Sequence, residues 1–239
     1  MANPPQLQPC DVLAFGPHPD DIEIAAAGSL LLLIAGGQSV SLVDLTRGEK
    51  GSRGTVADRD VEAAAAARKL GVVERVNLRL PDGGLFVDEQ GTNLLVATLR
   101  SAKPALLLAP HLRDVHPDHT ATAQLAERAF FLAGLRNHEP QLGPPHRPRL
   151  FLRYPGNLPI EPSLVVDISA VADKKAEVVR CYKSQLSPPD RAHLVQGLDL
   201  FERTEVRDRF HGTRIGARAA ESFWHDGPLP VRDLRLLLG

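Results

Sequence analysis

The sequence predicts a single α/β domain, a mostly parallel sheet with helices on both faces, and three observations carry that expectation. Short apolar runs alternate with longer helical stretches along the whole chain. The runs are apolar at nearly every position rather than at alternate ones, as in strands covered on both sides. The 239 residues suffice for one sizeable core, and no Ser/Gly-rich linker or abrupt change of composition divides them.

Taken in order, the strands are expected at Val12 to Gly16, Val40 to Leu45, Arg75 to Leu80, Ala105 to Pro110, Arg149 to Tyr154 and Leu164 to Ile168. Helices are expected at 20–35, 56–70, 92–102, 117–135, 170–185 and 204–221. The first helix contains the greasiest stretch, Ile22 to Gly36, which Glu23, Gly28 and Ser29 interrupt and which is too short to cross a bilayer, since that takes about 20 apolar residues. The second follows a capping box, Thr55-Val56-Ala57-Asp58, and its alanine run Ala63 to Ala67 suits close packing. The fourth begins at Pro117, a residue suited to the first helical position, with His116 as its cap. Residues 1–10 read as a flexible lead-in and 11–239 as the domain. The arrangement is Rossmann-like, with strand order 3-2-1-4-5 and the first and fourth strands adjacent at the switch point.

The formal net charge of -1 and a pI near 6.8 give no electrostatic case for nucleic acid or an anionic membrane surface. A small-molecule substrate fits better. The two cysteines, Cys10 and Cys181, make neither a disulfide framework nor a CxxC site, which suits a reducing cytoplasm. Met1 to Cys10 carries no basic residue and no apolar core of a secretory signal.

Two words about a hundred residues apart carry the chemistry: His18-Pro19-Asp20-Asp21 and His116-Pro117-Asp118-His119. Each follows an apolar strand, and in the expected topology both lie beyond the carboxyl ends of neighbouring strands, where ligands bind. Catalytic zinc takes three protein ligands and leaves a fourth position open to water, whose pKa falls to about 7. His18, Asp21 and His119 meet that need. Asp20 is then free as a general base, His116 as a proton donor or electrophile, and Asp118 as the carboxylate that orients His116. The bland readings are that Asp20 marks a helix start and Asp118 caps one. Arg59, in the first turn after the capping box, is either a bidentate grip for a substrate carboxylate or a solvated surface residue. Arg47 and Arg53 are weaker candidates of the same kind. A nucleotide-binding module is disfavoured, because Gly16-Pro17-His18-Pro19 stands where a GxGxxG turn would be. A nonhydrolytic metal-binding protein is a further alternative.

The words Gly16-Pro17-His18-Pro19-Asp20-Asp21-Ile22-Glu23 and His116-Pro117-Asp118-His119 resemble the signature of the PIG-L/LmbE-type zinc-dependent N-acetylglucosaminyl deacetylases. Asp44 to Glu49, Gly51 to Thr55, Leu80-Pro81-Asp82-Gly83, Val166 to Ser169 and Tyr182 to Gln185 resemble its bacillithiol-biosynthesis branch, so the similarity spans about Asp11 to Phe223. The resemblance implies Zn2+ held by His18, Asp21 and His119, with Asp20 as base, His116 and Asp118 as the acid pair and Arg59 on the substrate. It implies hydrolysis of the N-acetyl group of N-acetylglucosaminyl-malate, with another amino-sugar conjugate as the alternative, in a homo-oligomer, commonly a hexamer. The mycothiol-related branch has a tyrosine at the position of Asp114, which favours the bacillithiol type. Phe210-His211-Gly212 stands where relatives often carry paired tyrosines.

Overall fold

The computed structural model describes residues 5–186, 200–229 and 233. Five parallel strands form the central sheet in the order β3-β2-β1-β4-β5, namely β1 (Val12–Gly16), β2 (Val40–Asp44), β3 (Glu74–Asn77), β4 (Leu106–Pro110) and β5 (Leu150–Tyr154). Because side chains alternate along a strand, each apolar strand feeds two cores. Leu13, Phe15, Val43 and Leu107 face α3 (Glu89–Ala102) and α4 (Pro117–Ala133), burying Leu95, Leu99, Leu125 and Ala129. Val12, Ala14, Leu42 and Leu108 face the opposite way, against α1 (Asp21–Ala35), α2 (Val56–Leu70) and α5 (Ala172–Val179). The α/β expectation, its strand order and its two helical layers therefore match the observed architecture.

The Thr55 capping box opens α2, with both reciprocal hydrogen bonds made, and Gly71 closes it in the left-handed conformation at φ 84°. Asp88 caps α3 by accepting the Gly91 N–H, so that helix starts three residues earlier than apolar periodicity alone implies.

Three expectations differ from the structure. Residues at the end of the supposed loose lead-in are held down: Leu7 and Cys10 are buried, and the Cys10 N–H donates to the Ala102 carbonyl at 2.8 Å. The helix expected over 170–185 unwinds after Val179 and resumes as a single turn, α6 (Lys183–Leu186). The break turns Tyr182 into the core, where its hydroxyl meets Glu23. The helix expected over 204–221 is instead α7 (Leu200–Thr213) followed by β7 (Ala220–Phe223). β7 pairs antiparallel with β6 (Leu164–Asp167) in a separate two-stranded sheet, so β6 does not extend the parallel one. Among the described residues no helix is long and apolar enough to cross a membrane.

Candidate functional site

β1 and β4 are neighbours, and the chain leaving each carries one of the two histidine-aspartate words. After β1, Asp21 opens α1 and its Oδ2 accepts the His18 backbone N–H at 3.1 Å, folding the word back on itself. Asp20 sits at the turn with φ 115°, a conformation that costs an L-residue about 1 to 3 kcal/mol and clusters at functional sites. Asp20 takes the N-cap position of α1, but its side chain makes no capping hydrogen bond and so is not held by the helix start. After β4, Pro117 takes the first helical position and His116 Nδ1 accepts the Asp118 N–H at 3.2 Å. The His116 and His119 rings then stack, 4.9 Å between centroids.

Two imidazoles converge on Asp21 in the same way. His18 Nδ1 lies 3.1 Å from Oδ2, and His119 Nε2 lies 3.3 Å from Oδ1. Each ring turns its other nitrogen to a different carboxylate, His18 Nε2 to Asp82 at 3.0 Å and His119 Nδ1 to Asp114 at 3.2 Å. That pattern, one nitrogen inward and the other on a carboxylate, is how ligating histidines are oriented in metal sites. Burial opposes charge on both rings, but hydrogen bonds to Asp118, Asp21 and Asp82 push His18 well above its ordinary range. Asp21 and Asp114 outweigh burial for His119, which rises to about 9. Burial likewise opposes ionisation of Asp21, and the two histidines overcome it and hold the carboxyl well below its usual range. Protons thus occupy positions that a divalent cation would take over on binding. One ligand atom from each of His18, Asp21 and His119 lies within 4.8 Å of the others, and the same is true of an overlapping group, His18, His116 and Asp118.

Asp82 and Asp114 are site residues to which sequence reasoning gives no role. The Asp114 side chain is nearly fully buried and also accepts the His116 N–H, the Asn157 N–H and the Asn157 side-chain amide, at 2.8, 2.7 and 3.1 Å. Gly156 makes room for it: a Cβ there would fall onto Asp114 Oδ2 and lie 2.6 Å from His119 Nδ1. The sequence signal for Asp82 is the word Leu80-Pro81-Asp82-Gly83, and that for Asp114 is its place two residues before the second word, where the resemblance separates the branches.

The sequence suggests Asp118 as the partner that keeps His116 protonated; the Asp118 charge favours that proton, while the hydrogen bonds of its carboxylate go elsewhere. The Asp118 carboxylate accepts the Gly83 N–H at 2.6 Å and the Leu85 N–H at 3.3 Å, and it contacts His18 Nε2 at 3.3 Å. Lying in the first turn of α4, it faces the 83–85 loop, and the hydrogen bond between Asp118 and His116 runs through the Asp118 backbone N–H. Burial, with His18 and His119 alongside, lowers the His116 pKa below its ordinary value. With Nδ1 accepting, the neutral ring carries its proton on Nε2.

Asp20 is buried beside the cluster, with Arg59 Nη1 3.8 Å from its Oδ2. Burial raises its pKa, which Arg59 only partly offsets, to about 7. Arg59 is not a solvated residue: it is 8% exposed, donates to the Pro19 carbonyl at 3.2 Å and to Gln185 Oε1 at 2.6 Å, and packs over Gly48 and Gly51. Beneath lies a second charged group. Arg75 joins Glu23 of α1 to Asp44 at the end of β2, at 2.5 and 2.7 Å, and Tyr182 donates to Glu23 at 2.8 Å. His18, Asp20, Arg59, Asp82, His116 and His119 line one cavity of about 330 Å³. The arrangement offers a cation site, a buried carboxylate poised to exchange a proton near neutrality, and an imidazole N–H donor on one wall.

The PIG-L family model, described as GlcNAc-PI de-N-acetylase, matches residues 13–130, a span that includes both words. The conserved protein TT1542 from Thermus thermophilus is 39% identical, with 93% of this chain and 97% of that one covered and a TM-score of 0.84. The N,N'-diacetylchitobiose deacetylase from Pyrococcus horikoshii is 26% identical over 94% of this chain and 89% of its own, with a TM-score of 0.79. The probable N-acetyl-alpha-D-glucosaminyl L-malate deacetylase 2 of Bacillus anthracis is 27% identical over 160 residues, 56% of this chain and 71% of that protein.

Proposed function

The chain belongs to the PIG-L family and is an amide hydrolase of its deacetylase type; from that premise we propose that it removes acetate from N-acetylglucosaminyl-malate, using zinc held by His18, Asp21 and His119. The observation that carries the metal assignment is the convergence of two imidazoles on Asp21, each backed by its own carboxylate. Two nitrogens and one carboxylate oxygen are a donor set that suits zinc. Bound there, zinc supplies Lewis acidity toward the amide carbonyl and lowers the pKa of water.

The remaining steps belong to the chain's own residues. Asp20 takes a proton from the attacking water as the oxygen bonds to the acetyl carbon, and returns it to the amine nitrogen as the C–N bond breaks. His116, neutral with its proton on Nε2, donates a hydrogen bond to the carbonyl oxygen as negative charge develops there. In this reading His116 acts as the electrophile, and the Asp118 carboxylate, which accepts the Gly83 and Leu85 N–H groups, holds the 83–85 loop against His18. Arg59 presents its guanidinium to the same cavity and grips a malate carboxylate. We place the reaction in bacillithiol biosynthesis, in the cytoplasm and in a homo-oligomer, commonly a hexamer in that branch.

The test is a panel of N-acetylglucosaminyl-malate, N-acetylglucosamine and N,N'-diacetylchitobiose with zinc-loaded protein, reading released acetate. Preference for the malate conjugate supports the proposal. Preference for chitobiose would move the substrate to another amino-sugar conjugate, and no release from any would leave a nonhydrolytic metal-binding protein.

A further inference from the structure

Asp20 sits at φ 115°, a conformation that persists in an L-residue only where the surrounding structure over-determines it. On the near side of the turn the hold is plain: the Pro17 carbonyl accepts the Thr46 N–H at 3.0 Å, and the Pro19 carbonyl accepts Arg59 Nη1 at 3.2 Å. On the far side the chain enters α1, whose first turn carries the fully buried Glu23.

Glu23 is tied by two partners. Arg75 Nη1 donates to its Oε1 at 2.5 Å, while Nε and Nη2 of the same guanidinium make a bidentate pair with Asp44 at 2.7 and 2.8 Å. Asp44 ends β2 and is the register partner of Gly16, the residue from which the first word departs. One planar group thus links the strand end that precedes the word to the helix turn that follows it. The Tyr182 hydroxyl donates to the same Oε1 at 2.8 Å. It reaches that oxygen because the chain tightens between α5 and α6: the Tyr182 N–H goes to the Val179 carbonyl at 3.1 Å, and the Gln185 N–H to the Tyr182 carbonyl at 3.0 Å. A buried ion pair stabilises no more than well-packed apolar side chains would, and what it adds is direction. Glu23, Asp44, Arg75 and Tyr182 are absent from the lining of the cavity that holds His18, Asp20 and Arg59, so a substrate there does not touch them.

Resting on the reading of Asp20 as the base, we propose that Arg75 and Tyr182 are positioning residues of the hydrolysis: by holding Glu23 they fix the first turn of α1 and keep the Asp20 carboxylate at the cavity wall.

The test pairs Tyr182→Phe, which removes one hydroxyl from a buried ring, with Arg75→Lys, which keeps the charge and loses the bidentate geometry. It uses zinc-loaded full-length protein and whichever of N-acetylglucosaminyl-malate, N-acetylglucosamine and N,N'-diacetylchitobiose the parent cleaves. Tyr182→Phe should lower kcat about tenfold, and Arg75→Lys at least as far, with KM and bound zinc within about twofold of the parent. In an Asp20→Asn background Tyr182→Phe should lower kcat less than about twofold, because residues that act through one another are not additive. Amide exchange of the full chain before zinc is added, read by mass spectrometry, should rise about tenfold in the 16–24 peptide for both variants and stay at the parent's level in β4 and α3. Equal losses of kcat in both backgrounds, a loss carried by KM, or exchange raised throughout the core would overturn the proposal and leave the network a cluster that only stabilises the fold. If the parent cleaves none of the three substrates, the deacetylase reading fails, and exchange still decides: selective loosening of 16–24 upholds the hold on the Asp20 turn, and uniform or absent loosening removes it.

Discussion

Replacing Gly156 by alanine adds one methyl group and should weaken zinc binding at a distance from the ligands themselves. The φ of Gly156 lies outside the left-handed region, so the backbone tolerates alanine and the effect comes from contact alone. The new Cβ would fall onto Asp114 Oδ2, the oxygen that faces His119 Nδ1 and accepts the Asn157 N–H. Loss of an outer carboxylate from a ligating histidine costs about 10- to 100-fold in metal affinity, or about 1.4 to 2.7 kcal/mol. Zinc affinity is measured by competition with a chromogenic chelator, with Asp114→Asn as the control that keeps the shape and weakens the acceptor. Both variants should bind zinc less tightly than the parent by that factor. Unchanged affinity in both would refute the idea that Asp114 sets His119 for the metal; unchanged affinity in Gly156→Ala alone would refute the steric step.

Asp20→Asn should keep zinc and fold but lower kcat by about 10² or more, since the amide cannot take the water's proton; near-normal turnover with zinc bound would remove Asp20 from the mechanism. Lys175→Met should destabilise the fold by about 3 to 5 kcal/mol in denaturant titrations, because it strands two buried carboxylates. Lys175 Nζ lies 2.7 Å from Asp208 and 2.8 Å from Glu221, and Glu221 accepts the Gly28 and Ser29 N–H groups of α1; a midpoint near that of the parent would show that the cluster relaxes. Arg59→Ala should cost about 2 to 5 kcal/mol in kcat/KM on the malate conjugate with zinc content unchanged. Neutral N-acetylglucosamine should lose much less, and equal losses would mean that Arg59 does not read the carboxylate.

The parallel sheet is legible in the sequence because its strands are apolar throughout, and the two words follow from it, since strands one and four must be neighbours in that order. Pro117 and the Thr55 box mark helix starts for local reasons, and both stand where expected. β7 is not legible. Ala220 and Glu221 follow an arginine- and alanine-rich helical stretch, and their strand conformation is imposed by pairing with β6 and by the pull of Lys175 on Glu221. The carboxylates that orient the rings are hidden for a related reason: Asp82 lies 64 residues from His18, a separation that only the folded sheet closes. The hydrogen bonds of Asp118 escape sequence reasoning because its side chain and its backbone N–H point to different partners, which spacing does not reveal.

The central claim is that zinc is held by His18, Asp21 and His119 rather than by the overlapping group His18, His116 and Asp118. Zinc per chain in His119→Ala and His116→Ala, measured side by side by elemental analysis after dialysis against weak chelator, separates the two. The assignment predicts that His119→Ala loses the metal while His116→Ala retains about one zinc and loses turnover. Retention in His119→Ala with loss in His116→Ala would contradict it.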